Sequence, residues 1–138
     1  MLGNSNAYDD QNLEPTIVLE PSKESELMKN EIFGPILPVY SYQNFDEVIK
    51  HINENEKPLC LYYFGSTSSK NYQRLEKETS SGALVSNETL FHMLNSDLPF
   101  GGVGFSGYGR CHGHEGFKAF SNPKSVFNKA VMKMYPYN

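Results

Sequence analysis

The stretch that most restricts this chain is "LCLYYFGS", residues 59–66. It opens with six apolar or aromatic residues in a row. A strand with one face in water alternates apolar and polar side chains. A near-continuous run needs cover on both faces, as in a parallel sheet. Parallel neighbours cannot be joined by a tight hairpin and need a crossover, usually a helix. Residues 59–66 therefore demand helices on either side of them in the sequence.

The flanks supply those helices. Upstream, Asn44 stands as an N-cap with Glu47 in the N3 position of a capping box. Phe45, Val48, Ile49 and Ile52 follow at i, i+3, i+4 and i+7 and form one apolar stripe, which Pro58 ends. Downstream, "TSSKNYQRLEKETSSG" predicts a polar helix capped by Ser68 or Ser69 and closed by Gly82, with Tyr72 and Leu75 as its core contacts. "ALVSN", 83–87, is the next strand. Earlier in the chain, Pro15–Leu19 reads as a β-branched strand. "PSKESELMKN" reads as a turn into a short helix, and "PILPVYSY" as a second strand with Pro at its start. Strands and helices in alternation give an α/β class with a mostly parallel sheet, flanking helices and right-handed crossovers.

After Asn87 the texture changes. "LPFGGVGFSGYGRCHGHEG" holds seven glycines, a density that neither helix nor regular strand tolerates. It reads as a loop lying close against other backbone. Residues 1–14 read as a loose polar segment. Residues 127–138 read as a tail that forms a strand or a short amphipathic piece.

Composition narrows the function. A chain of 138 residues with 38% hydrophobic and 20% charged residues fits one globular domain. A net charge of −4, with no basic stripe interleaved with aromatics, excludes a nucleic-acid surface. No apolar run approaches the roughly 20 residues of a membrane span. Residues 1–10 are acidic and lack the apolar core of a signal peptide, and Leu2 excludes N-myristoylation. Two cysteines, Cys60 and Cys111, are too few for a disulfide scaffold, so free thiols and a cytoplasmic setting are expected.

Several residues invite chemical readings. Glu31 opens "EIFGPILPVY" directly before an apolar segment. Alone it is a solvated turn carboxylate. As a binding group it is an ionised acceptor for paired ligand hydroxyls, with Phe33 offering a ring face nearby. "GGVGFSG" lacks the lysine of a phosphate loop and the context of a dinucleotide fingerprint, and no helix is expected after it. Cys111, His112 and His114 crowd too closely to share one tetrahedral zinc, so no metal site is expected. Cys60, inside an apolar strand, reads as a small inert hydrophobe. His51 reads as solvated. His92 is either a loop residue or part of a pocket lining.

Taken in order, "EPTIVL", "NEIFGPILPV", "EKPLCLYYF", "ETSSGALVSN", "LPFGGVGFSGYGR" and "HGHEGFKAFS" resemble the C-terminal part of aldehyde dehydrogenases, nearest the class 3, fatty-aldehyde-type branch. The resemblance covers residues 15–126. It implies an NAD(P)-dependent oxidation of aldehydes to carboxylic acids through a thioester. It assigns Glu31 to the nicotinamide ribose hydroxyls and Phe33 to the nicotinamide side. Phe100 becomes a wall of the substrate tunnel, with Gly101 and Gly102 packed beneath it and His92 among the pocket residues. It also implies that the family's nucleophilic Cys, general-base Glu and Rossmann-type domain lie N-terminal to this segment. No catalytic residue is then expected in this chain, and alone it should be inactive. The tail falls near the family's oligomerisation strand. That permits a homodimer or, as the alternative function, a non-catalytic module pairing with full-length subunits.

Overall fold

A computed structural model describes residues 13–130. The order is β1 (Thr16–Leu19), α1 (Glu26–Lys29), β2 (Ile36–Val39), α2 (Phe45–Glu54), β3 (Cys60–Tyr63), α3 (Lys70–Glu78), β4 (Ala83–Ser86), two 3₁₀ turns at Phe91–Leu94 and Gly104–Ser106, and α4 (Gly113–Ala119). The α/β reading holds, and every described strand pair is parallel. The strands do not join one sheet, however. They form two pairs, β1 with β2 and β3 with β4. The contacts divide the chain into units of residues 1–48 and 49–138, with the boundary inside α2.

In the first unit, Thr16 pairs with Ile36 and Leu19 with Val39. The Thr16 amide donates to the Pro35 carbonyl at 2.8 Å and the Glu20 amide to the Val39 carbonyl at 2.9 Å. In a parallel ladder this phase turns the backbone nitrogens of Ile36 and Pro38 away from β1. Pro38 thus costs no ladder bond, because its missing N–H lies on the outer edge. The Ile36 amide, also on that side, donates back to Gly34 at 2.8 Å. Glu20 leaves β1 with φ +46°, and its carboxylate accepts from the amide and hydroxyl of Ser41 at 2.7 and 2.6 Å. Those two bonds hold it below the usual carboxylate range.

Asn44 caps α2 as expected, but the return bond of Glu47 goes to the Gln43 amide, one residue before the cap, and not to the Asn44 amide of a regular capping box. The Glu47 amide donates to Asn44 Oδ1 at 3.2 Å, and the Glu47 carboxylate reaches back to the Gln43 amide at 3.3 Å. Ile49 of the apolar stripe is buried.

In the second unit, Ser69, one of the two expected caps, caps α3 by accepting from the Tyr72 amide at 3.2 Å. Leu75 is buried, and the Tyr72 ring lies against Tyr63 with centroids 5.5 Å apart. The Arg74 guanidinium clasps Glu78 through two bonds of 2.8 Å. Gly82 does not close α3. The helix ends at Glu78 with Thr79 as its cap. Gly82 is a packing glycine instead: a Cβ there would strike the carbonyl oxygens of Leu59 and Gly101.

Three further expectations are corrected. The run 59–66 is not covered on both faces: Tyr62 is 39% and Phe64 66% exposed. β3 has one strand neighbour among the described residues, so part of its apolar surface stays open. The second strand is shorter than "PILPVYSY", because only Ile36–Val39 pairs. A helix does follow the glycine-rich stretch: α4 runs through Gly113 and Gly116. Gly113, at φ +48°, starts it in a space where a Cβ would press on the Ser96 carbonyl. The expectation for residues 1–14 falls largely, and that for the tail from 131 onward wholly, outside the described residues.

Candidate functional site

In the first unit, Glu31 and Phe33 lie in the connection between α1 and β2. The Glu31 carboxylate is exposed, and no described residue bonds to it. Phe33 is 90% exposed and sits at φ +44°. A non-glycine residue in the left-handed region costs roughly 1–2 kcal/mol, and exposing a large ring forfeits its burial. The chain bears both costs at one residue. The result is an exposed ring face two positions from an exposed carboxylate.

In the second unit, the glycine-rich stretch folds as a clasp around Phe100. The Phe100 amide donates to the Cys111 carbonyl at 3.0 Å, and the Cys111 amide returns to Phe100 at 2.8 Å. The Cys111 thiol also reaches the Phe100 carbonyl at 3.3 Å. Inside the clasp, Ser106 Oγ accepts from the Val103 amide at 2.8 Å and donates to the Val103 carbonyl at 2.9 Å. Arg110 donates to the Gly102 carbonyl from across the loop. Gly102 is buried, and a Cβ on it would overlap the Ser106 carbonyl. At Gly101 a Cβ would meet the Gly109 carbonyl. Both glycines are thus required by backbone approach.

Four rings then follow one another in contact. Tyr62 meets His92 at 6.0 Å, His92 meets Phe100 at 5.8 Å, and Phe100 stacks on His112 at 5.6 Å with 19° between planes. The structure therefore brings His92, Phe100, Gly101 and Gly102 into one place. It also adds Tyr62 and His112. Tyr62 was hidden in the sequence as one apolar residue of a strand, and His112 as one of the crowded trio Cys111, His112 and His114. Among the described residues no group of three His, Cys, Asp or Glu could hold a metal ion. His51 is exposed on α2, and its ring lies 3.4 Å from Asn55 Nδ2. Burial pushes the Tyr62 phenol and the Cys60 thiol up, which makes Cys60 a poor nucleophile.

A clip joins the ends of β3 and β4 and was not read from the sequence. Asn87, at φ +57°, accepts from the Gly65 amide at 2.8 Å and donates to the Gly65 carbonyl at 2.9 Å. An Asn directly after a strand is the one available signal, since Asn tolerates the left-handed region.

Residues 2–126 match the aldehyde dehydrogenase family. The chain is 45% identical over 119 residues to aldehyde dehydrogenase family 3 member A2 of Mus musculus, which covers 86% of this chain and 24% of that protein. Among solved structures, the substrate-bound state of Staphylococcus aureus AldH superposes with a TM-score of 0.80 at 39% identity, over 99% of this chain and 31% of that one. A mutant aldehyde dehydrogenase C of Pseudomonas syringae, complexed with NAD+ and octanal, superposes with a TM-score of 0.65 at 27% identity, over 77% of this chain and 21% of that one. The chain thus spans about a quarter of the length of the relatives it matches. The six ordered motifs, the parallel α/β pairs and these similarities agree, and the chain belongs to the aldehyde dehydrogenase family.

Proposed function

We propose that this segment serves the oxidation of aldehydes to carboxylic acids with a nicotinamide cofactor, by holding the cofactor and shaping the substrate pocket. The observation that carries the reading is the pair Glu31 and Phe33. A carboxylate without a protein partner among the described residues stands beside a ring held out at φ +44°. A dinucleotide's nicotinamide ribose offers two adjacent hydroxyls and a flat ring, so these residues fit it. When bound, the nicotinamide supplies the hydride acceptor. Glu31 accepts hydrogen bonds from the ribose hydroxyls and so fixes the ribose orientation. Phe33 limits where the ring can lie. Phe100, with its backbone locked to Cys111, offers an apolar wall to the aldehyde, and Gly101 and Gly102 keep the floor beneath it thin.

On this reading, the nucleophile and general base of a thioester route lie in parts of the enzyme that match no residue here. The 138-residue chain alone then turns over no aldehyde with either NAD or NADP. Formation of reduced cofactor by the purified chain would contradict that. The decisive test grafts residues 15–126 into the corresponding segment of the Staphylococcus aureus relative. Glu31→Gln in the graft raises the cofactor KM several-fold and leaves the aldehyde KM nearly unchanged. An unchanged cofactor KM would remove Glu31 from the role. Running the graft with both cofactors also reads the NAD or NADP preference. Free thiols at Cys60 and Cys111 fit a cytoplasmic setting, which fractionation would test.

A second reading rests on β1 and β2. Ile17, Leu19, Leu37 and Val39 are 40, 54, 58 and 37% exposed along the two paired strands. Such a surface suits pairing, with a second copy or with a full-length subunit. Size-exclusion chromatography with and without a full-length homologue decides, and a monodisperse monomer indifferent to the homologue refutes it.

A further inference from the structure

We infer that His92 is a positioning residue that sets the ring of Phe100 by shape, and that Tyr62 backs it. This rests on the reading of Phe100 as a pocket wall. Both ring nitrogens of His92 are shut off from solvent and have no hydrogen-bond partner among the described residues. A histidine kept for hydrogen bonding almost always finds a partner when its nitrogens are buried. Nor can nitrogens that solvent does not reach be presented to a substrate as they stand. What His92 does offer is its ring, placed 5.8 Å from Phe100 on one side and 6.0 Å from Tyr62 on the other. Tyr62 cannot retreat freely, because it is fixed on β3. Leu90, at φ +65°, turns the chain into the 3₁₀ segment that carries His92. His92 thus stands behind the wall, and Phe100 is the residue that meets substrate.

The inference separates cleanly from a polar role by the choice of substitute. A ring brace is restored by Phe and lost with Gln. A hydrogen-bonding histidine behaves the other way. The experiment uses the 138-residue chain with 13C-labelled phenylalanine. The Phe100 ring signals are assigned through Phe100→Leu, and the exposed Phe33 and Phe120 serve as internal references. In the parent chain Phe100 is shifted by its ring neighbours. His92→Ala and His92→Gln move it toward the exposed references, and His92→Phe keeps it displaced from them. Unmoved Phe100 signals in His92→Ala overturn the inference. So does rescue by Gln without rescue by Phe. If His92→Ala loses its far-ultraviolet circular dichroism, the Gln and Phe chains alone decide. The measurement reads ring position and no turnover. A Phe100 that proves irrelevant to the aldehyde KM in the graft would refute the pocket reading and leave this result standing.

Discussion

Ser69→Ala tests whether one hydroxyl ties α3 to β3. Ser69 Oγ accepts from the Tyr72 amide at 3.2 Å and shares a 2.8 Å bond with the Tyr63 hydroxyl. Loss of an N-cap oxygen costs about 1 kcal/mol. Leaving the part-buried Tyr63 hydroxyl without its partner costs about 1 kcal/mol more. The sum, about 2 kcal/mol, is a large share of the stability of a small domain. Tyr63→Phe alone leaves the cap intact and should cost about 1 kcal/mol or less. In the double variant the shared bond is lost only once, so the two changes fall short of additivity by about 1 kcal/mol. Ser69→Thr keeps an oxygen at the cap and loses only a few tenths of a kcal/mol. Urea unfolding followed by far-ultraviolet circular dichroism measures all four chains. A Ser69→Ala loss below about 0.3 kcal/mol, or full additivity with Tyr63→Phe, would refute the reasoning.

The other predictions are briefer. Gly82→Ala forces the Leu59 and Gly101 carbonyls apart and destabilises by about 1–3 kcal/mol, measured by the urea midpoint. Gly102→Ala meets the Ser106 carbonyl and acts in the same range, with added loss of the shifted Phe100 signals. The Arg74 guanidinium beside Glu78 and the Lys118 ammonium beside Glu115 hold both carboxyls below their ordinary value of 4.5. The unfolded chain therefore takes up protons at a higher pH than the native one. The stabilisation is fully present above about pH 4.5 and is lost as pH falls through the lowered native values. Glu78→Gln should give a shallower acid-side decline in melting temperature, and an unchanged slope would count against the pair. Finally, a thiol reagent near neutral pH should label Cys111 well before Cys60. Cys111 is exposed, whereas burial raises the Cys60 thiol; mass spectrometry of the labelled peptides reads the order.

Much of the fold was legible because local signals decided it. Asn44 and Glu47 spell a helix start whose cap bond, from the Glu47 amide to Asn44 Oδ1, needs no tertiary partner. The β-branched residues Thr16, Ile17 and Val18 need only a neighbouring strand to become β1. What failed depended on distant packing. Gly82 looked like a helix stop because a glycine after a polar helix usually is one. Its real constraint comes from the carbonyls of Leu59 and Gly101, remote in sequence. The density of glycine hid α4, since propensity alone argues against a helix containing Gly113 and Gly116. Phe100 with Gly101 and Gly102 is named through the family resemblance that "LPFGGVGFSGYGR" carries, and the residues alone read only as a close-packed loop. The ring neighbours Tyr62 and His112 could not be picked out, because only folding brings such distant residues into one file.

The proline in β2 gives the first strand pair a direction. Along the outer side of that strand, the Ile36 amide is already spent on Gly34 and Pro38 has none to give. A newcomer strand laid there would find carbonyls to donate to and no amide to receive from. Lengthening of the ladder is thus favoured past β1. A strand adding to this pair is favoured on the β1 side. One imino acid thus closes that side of the ladder to amide pairing.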